Sequence, residues 1–250
     1  MRTTSIVAHA LGAALESGLL IPVFQPIWTV ARACWGFEAL SRFPNGSAPD
    51  AVWALARRHG TATALDRVAL TTAIEAAAHL GGRLFLNVSA PHFRDPAALA
   101  ALVDSARVVW EVTECDSLGP DDLRGLRRLQ EWGYTVAMDD AGAGHSTMHR
   151  LGIVRPNIVK LDRPIVQVWA AGHRDPLRRW VEAAQGIGAA VIAEGIEDAS
   201  WVAGLAAEGV DAVQGFALGR PAPQEHWITV DVSEYSSGEL GPGVLAGRER

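Results

Sequence analysis

Seven polar residues close seven short apolar runs of the 250-residue chain: Glu38, Asn87, Glu111, Asp139, Lys160, Glu194 and Gln214. They stand in Phe37-Glu38-Ala39-Leu40, Asn87-Val88-Ser89, Glu111-Val112-Thr113-Glu114, Asp139-Asp140, Lys160-Leu161-Asp162, Glu194-Gly195-Ile196-Glu197 and Gln214-Gly215. Successive lead residues are 49, 24, 28, 21, 34 and 20 positions apart, near the length of a strand–helix–strand unit of roughly 30 residues. Carboxylate and amide oxygens are the donors that hard divalent cations such as Mg2+ prefer. Gathered at one mouth, the carboxylates would repel and raise one another's pKa unless cations neutralised them. The array therefore points to a metal site. Glu38, Asn87, Glu111 and Asp139 offer four oxygen donors, and Asp140 and Glu194 could help hold a second ion. Two neighbouring ions can bind a phosphodiester, activate water and stabilise the leaving oxygen. Lys160 could stabilise charge or orient that water. Phosphodiester hydrolysis is the reaction this set suits.

Taken singly, each motif has an ordinary explanation. A Glu after a strand is commonly solvated, an Asn is commonly a turn or cap residue, and Lys-x-Asp can be a surface ion pair worth little. Glu-Gly-x-Glu can be a turn around Gly195, and Gln214-Gly215 a close-packed strand end. Their order and spacing favour one shared site. Other chemistries lack their signatures: there is no Gly-x-Gly-x-x-Gly or Walker-type loop, no Gly-x-Ser-x-Gly elbow and no His-Glu-x-x-His or Cys/His zinc pattern. The nine tryptophans fall mostly on expected helices and strand flanks, where packing is their default role.

The elements that would carry these residues alternate. Strands are expected at 23–30, 34–43, 84–90, 107–113, 135–140, 157–162, 189–194 and 211–217. Helical patterns lie at 3–19, 49–80, 95–105, 120–132, 165–186 and 199–208. The first two strands are close enough for an antiparallel hairpin; the remainder alternate as a parallel sheet with helices outside does. Eight strands suffice to close a (β/α)8 barrel, a fold of about 250 residues. Ile6, Ala10, Ala13, Ala14 and Leu20 suit one face of the first helix. The expected organisation is one barrel domain over 1–232 and a flexible tail over 233–250, rich in Gly and charge.

A net charge of −6 and a pI of about 5.7 argue against a broad basic face for polymeric nucleic acid. A small phosphorylated ligand remains compatible, since metals and a few cations supply local positive charge. No run reaches the roughly 20 apolar residues of a membrane span, and the apolar N-terminal stretch has the wrong order for a signal peptide. Two cysteines, Cys34 and Cys115, make no disulfide framework, and a reduced cytoplasmic setting is the simplest reading.

Together these motifs resemble the EAL-domain family of cyclic-di-GMP phosphodiesterases over about residues 10–225. The resemblance includes Phe24-Gln25-Pro26-Ile27, Arg42 after Glu38-Ala39-Leu40, and Asp139-Asp140-x-Gly142-x-Gly144. It implies a TIM-like barrel with an antiparallel first strand, hydrolysis of cyclic-di-GMP to linear pGpG, and two Mg2+ or Mn2+ ions. By that resemblance Glu38, Asn87, Glu111 and Asp139 hold the first ion, while Asp139, Asp140 and Glu194 contribute to the second. Glu194 also takes a base-like role, and Lys160 positions the nucleophilic water. Gln25 and Arg42 match substrate-contacting positions, Glu197 and Gln214 complete the mouth, and Glu114 braces the loop after Asp140. The chain departs from the family in that loop, where Ala141 stands for a large aromatic and His145 for a tyrosine. In the family the loop couples metal binding to dimerisation, so a homodimer is among the expected assemblies. With no GGDEF, PAS or receiver segment in the sequence, regulation is expected from a partner, dimerisation or expression. The rival expectations are a cyclic-di-GMP receptor that does not cut and a protein-interaction module that has lost the nucleotide.

Overall fold

The computed structural model describes residues 2–112, 118–142 and 148–229, with side chains from 5 to 228. The expected tail at 233–250, Glu114 and Cys115, and the loop residues 143–147 with His145 lie outside the described residues. Eight described strands close a barrel in chain order. They are β1 (Ile21–Thr29), β2 (Cys34–Arg42), β3 (Arg83–Val88), β4 (Val108–Val112), β5 (Thr135–Ala141), β6 (Ile158–Leu161), β7 (Ala190–Ala193) and β8 (Ala212–Val213). β1 runs antiparallel to both β2 and β8, and the other neighbours pair in parallel. The fold is thus the (β/α)8 TIM-like barrel, first strand reversed, that the sequence predicts.

The described helices are α1 (Arg2–Ser17), α2 (Pro49–Arg58), α3 (Ala62–Ala76), α4 (Pro96–Ala100), α5 (Pro120–Glu131), α6 (Met148–Val154), α7 (Arg163–Ala170), α8 (Asp175–Gly186), α9 (Trp201–Ala207) and α10 (Gln224–Thr229). A 3-10 turn at Ala90–Arg94 follows β3. The continuous helix expected over 49–80 is two helices. Gly60, at φ 69°, takes the left-handed conformation that ends α2. The span 165–186 divides likewise at the turn before Pro176, and α6 and α10 are additions to the expected set. α1 buries Ala10, Leu11 and Ala14 against Val52, Leu55 and Ala56 of α2 and Leu65 of α3. Ile6 lies half exposed, so the buried face begins one turn later than its periodicity suggests.

What positions the site is the two-residue period of the strands. Inside the barrel, Phe85, Val109, Ala137, Ile158, Ile192 and Ala212 form one buried apolar cluster with Ile27. Two residues further along each parallel strand stand Asn87, Glu111, Asp139, Lys160, Glu194 and Gln214. In β1, which runs the other way, Gln25 precedes Ile27 by two. Each of these strands therefore places an apolar side chain in the plug and the next inward residue at the mouth; in β2 the plug residue is Trp35, three before Glu38, because Gly36 has no side chain to give. Such interior layers make the barrel a packed core with its chemistry at the carboxyl end of the strands.

Candidate functional site

The mouth is built around Lys160. Its Nζ lies 2.8 Å from Glu111 Oε1, Asp139 Oδ1 and Glu194 Oε1, and 3.7 Å from Glu38 Oε2. Burial works against the ammonium charge, but Asp139, Glu111, Glu194 and Glu38 together outweigh it and hold the Lys160 pKa well above normal. One cation does not neutralise four carboxylates. Burial pushes the Glu111 carboxyl well above the usual range, and Glu38 and Asp139 add to the effect against the opposing pull of Lys160. Burial likewise raises Glu194 to about 8, Lys160 opposing and Asp139 and Glu38 reinforcing. The cluster is over-provided with negative charge, as expected for groups made to face cations.

Amides hold the carboxylates in place. Gln214 Nε2 donates to Glu38 Oε2 at 2.7 Å and to Gln25 Oε1 at 3.2 Å. Gln25 Nε2 donates to the Gly219 carbonyl at 3.0 Å, and Asn87 Nδ2 donates to Glu38 Oε1 at 3.3 Å. Register brings these residues level: Gln25 pairs with Glu38, and Asn87 with Glu111. Gly215 seats the turn after β7 beside them. A Cβ there would fall 2.2 Å from Ile196 N and 2.3 Å from Ile196 O, so only glycine allows the approach. The close-packed explanation of Gly215 is thus correct, while its neighbour Gln214 reaches the mouth.

β5 departs from the period of two. The pairing of β5 with β6 shifts register between Met138 and Ala141, with one extra residue on β5. Asp140 sits at φ 49°, in the left-handed region that Asp tolerates better than most residues. Such a bulge turns consecutive side chains toward one face. Asp139 and Asp140 accordingly both reach Glu194, with ligand oxygens within 4.8 Å of one another. Glu38, Glu111 and Asp139 form a second triple within the same limit. Glu111 Oε2 is fully buried with no hydrogen-bond partner among the described residues, which is costly for a carboxylate unless a cation faces it. The donor set is all oxygen, anionic and paired around a shared Asp139, and it fits hard divalent ions.

Two recesses meet at Leu40 and flank the cluster. One, of about 520 Å3, runs from Asn87, Asp139 and Asp140 to α2 and α3. The other, of about 330 Å3, runs from Glu38, Glu194 and Gln214 to Arg42, Glu197 and Phe216. Arg42 and Glu197 therefore stand at the rim of the smaller recess and not in the cluster. Arg42 Nη1 donates to the Ser41 carbonyl at 2.8 Å, and Glu197 pairs with Arg163.

Several residues here escape sequence reasoning. Arg163 lines the smaller recess, and Phe216, 58% exposed, stands there with the Arg220 guanidinium 4.4 Å from its ring centroid. Arg163 lies three residues after Lys160, the one signal that could have marked it. Buried Asp66 on α3 accepts from Trp53 Nε1 at 2.7 Å and from Ser89 Oγ, with His92 Nε2 3.4 Å away. It ties the end of β3, two residues beyond Asn87, to the helical layer. Ala141 is fully buried in a cluster that also holds Trp169 of α7 and Trp180 of α8. Burial raises the Cys34 thiol to about 11, the Gly36 carbonyl opposing, which leaves it no nucleophile at neutral pH.

Comparison with known proteins agrees with this geometry. The family model described as EAL domain matches residues 8–221. The chain is 33% identical over 135 residues to the cyclic di-GMP phosphodiesterase RocR of Pseudomonas aeruginosa, covering 52% of this chain and 33% of RocR. It is 27% identical over 224 residues to the probable cyclic di-GMP phosphodiesterase PdeD of Escherichia coli, covering 80% and 41%. It therefore spans less than half the length of these two relatives, and about 30% of two others that it matches, from Azorhizobium caulinodans and Caulobacter vibrioides. Among solved structures, the PaMucR phosphodiesterase in its c-di-GMP complex superposes with a TM-score of 0.74 at 25% identity, covering 88% of this chain and 98% of that one. By motif order, barrel topology and a family match across most of its length, the chain belongs to the EAL domain family.

Proposed function

We propose that this chain is a metal-dependent phosphodiesterase that hydrolyses cyclic-di-GMP to linear pGpG. The observation that carries the reading is the pair of oxygen-donor triples sharing Asp139, between recesses of a size that suits small ligands. Glu38, Asn87, Glu111 and Asp139 would hold the first Mg2+ or Mn2+ ion, and Asp139, Asp140 and Glu194 the second. Such ions, when bound, neutralise the diester and lower the pKa of water.

The chain's own residues supply the remainder. Lys160 Nζ, a permanent cation among the carboxylates, orients the attacking water. Glu194, whose Oε1 lies 2.8 Å from that ammonium, accepts the water's proton. The water oxygen bonds to phosphorus as one P–O3′ ester bond breaks, the released 3′ oxygen takes a proton from solvent, and the ring opens to pGpG. Gln25 and Gln214 keep Glu38 in its ligating orientation. Arg42 and Glu197, at the rim, contact the nucleotide.

We take residues 1–232 as the barrel unit, a cytoplasmic setting, and homodimerisation as an assembly open to it; no polymeric nucleic acid or membrane enters the proposal. Among the described residues no helix is long and apolar enough to cross a membrane. A second reading, a receptor that binds cyclic-di-GMP without turnover, draws on Ala141 at the head of the loop where the family carries an aromatic. Hydrolysis assays with Mn2+ or Mg2+ and equilibrium binding in chelator separate the two. Turnover that stops on chelation supports the enzyme; binding without turnover under both ions supports the receptor.

A further inference from the structure

We propose that one face of α2 reads a guanine base in the larger recess and sets the base preference of this chain; the inference rests on the cyclic-dinucleotide reading above. Asp50, Trp53 and Arg57 fall at i, i+3 and i+7, one helical face, and all three line that recess together with Asn87, Asp139 and Asp140. Val52, Leu55 and Ala56 occupy the opposite, buried face. The charges suit their helix ends, Asp50 in the first turn and Arg57 in the last, but that preference does not explain why both face the recess. Among the described residues neither forms an ion pair, so both heads are available to a ligand.

Trp53 is the platform. Its Nε1 is held by Asp66 at 2.7 Å, and its ring packs against Phe43 at a centroid distance of 5.8 Å. An aromatic ring fixed on both counts is preorganised for stacking, and stacking accepts any base. Discrimination must come from the charges. Guanine offers adjacent O6 and N7 acceptors, the pattern a guanidinium matches with two hydrogen bonds. Its adjoining Watson–Crick edge offers N1–H and N2–H donors, which a carboxylate accepts. Adenine presents an amino donor in place of O6, so Arg57 would meet a donor, and it lacks the donors Asp50 requires. The recess thus has an aromatic platform, a cation for one guanine edge and an anion for the other, next to the groups that hold the diester.

The test compares the native chain with R57A and D50N, both changed at exposed positions where folding is not at stake, and with W53F. KM and kcat are measured for cyclic-di-GMP and cyclic-di-AMP with Mn2+, alongside the rate on bis(p-nitrophenyl) phosphate, a diester without bases. We expect R57A to raise KM for cyclic-di-GMP about tenfold, with kcat and the base-free rate unchanged and the preference over cyclic-di-AMP reduced. D50N should act in the same direction, and W53F should retain most binding. KM and base preference within twofold of native in both R57A and D50N would overturn the subsite while leaving the phosphodiesterase intact. If the native chain turns over neither the dinucleotide nor the base-free diester, the enzymatic reading fails instead. Titration calorimetry of the same proteins with cyclic-di-GMP then decides the subsite: weaker binding by R57A supports it, and equal or absent binding overturns it.

Discussion

Lys160 and Glu111 carry opposite consequences for stability although they touch. Lys160 is the ammonium shared by four carboxylates, and its loss leaves them facing one another. We expect Lys160→Met to destabilise the metal-free protein by about 3–5 kcal/mol, the range for removing one partner of a buried ion pair. Mn2+ should restore much of that loss by taking over the neutralisation. Glu111→Gln removes one charge from an over-anionic cluster, so its metal-free melting temperature should equal or exceed the native value while the stabilisation by Mn2+ shrinks. Thermal melts of both variants with and without ion check the pair. Equal destabilisation of the two would show that the cluster is not held by this charge balance.

Among the strands, β5 has to present two consecutive carboxylates, and it does so through a bulge with Asp140 in the left-handed conformation. Asp140→Gly should keep that backbone and relieve about 1 kcal/mol of strain, raising the metal-free melting temperature. It should also remove a ligand of one ion, so that calorimetric titration with Mn2+ shows a weakened second site. A lower melting temperature with both sites intact would contradict the assigned role of the bulge. The strands from β3 to β8 were legible in the sequence because each is a short apolar run followed by its polar residue two positions past a plug residue, as Val109 and Glu111 are. The division of 49–80 was not, because Ala-rich sequence continues across Gly60. Nor was the mouth's outer ring: Asp50, Trp53 and Arg57 look like an ordinary solvated helix face until α2 is set beside β2 and β3. Asp66 had no local signal at all, since its partners Trp53, Ser89 and His92 lie 13 to 26 residues away. Gln214 was legible by order, yet its grip on Glu38 depends on barrel closure between β1 and β8.

For the whole molecule the anionic mouth links folding, protons and metal. Glu194 titrates near 8 in the folded metal-free protein and near 4.5 as an ordinary carboxyl. Its folded pKa is raised, so the stability it contributes is present below about 4.5 and is lost as pH rises toward 8; Glu111 acts in the same direction. In chelator, native stability relative to Glu194→Gln should therefore fall between pH 5 and pH 8, and saturating Mn2+ should reverse that trend by competing with the protons. Melts across that range read the sign directly, and a difference that grows with pH in chelator would contradict the charge assignment. The central claim is that this mouth cuts a cyclic dinucleotide. Its most direct test is chromatographic: the purified chain is incubated with cyclic-di-GMP and Mn2+ or Mg2+, beside Glu194→Ala. The account predicts metal-dependent pGpG from the native chain and none from the variant; equal product from both, or none from the native chain with either ion, would contradict it.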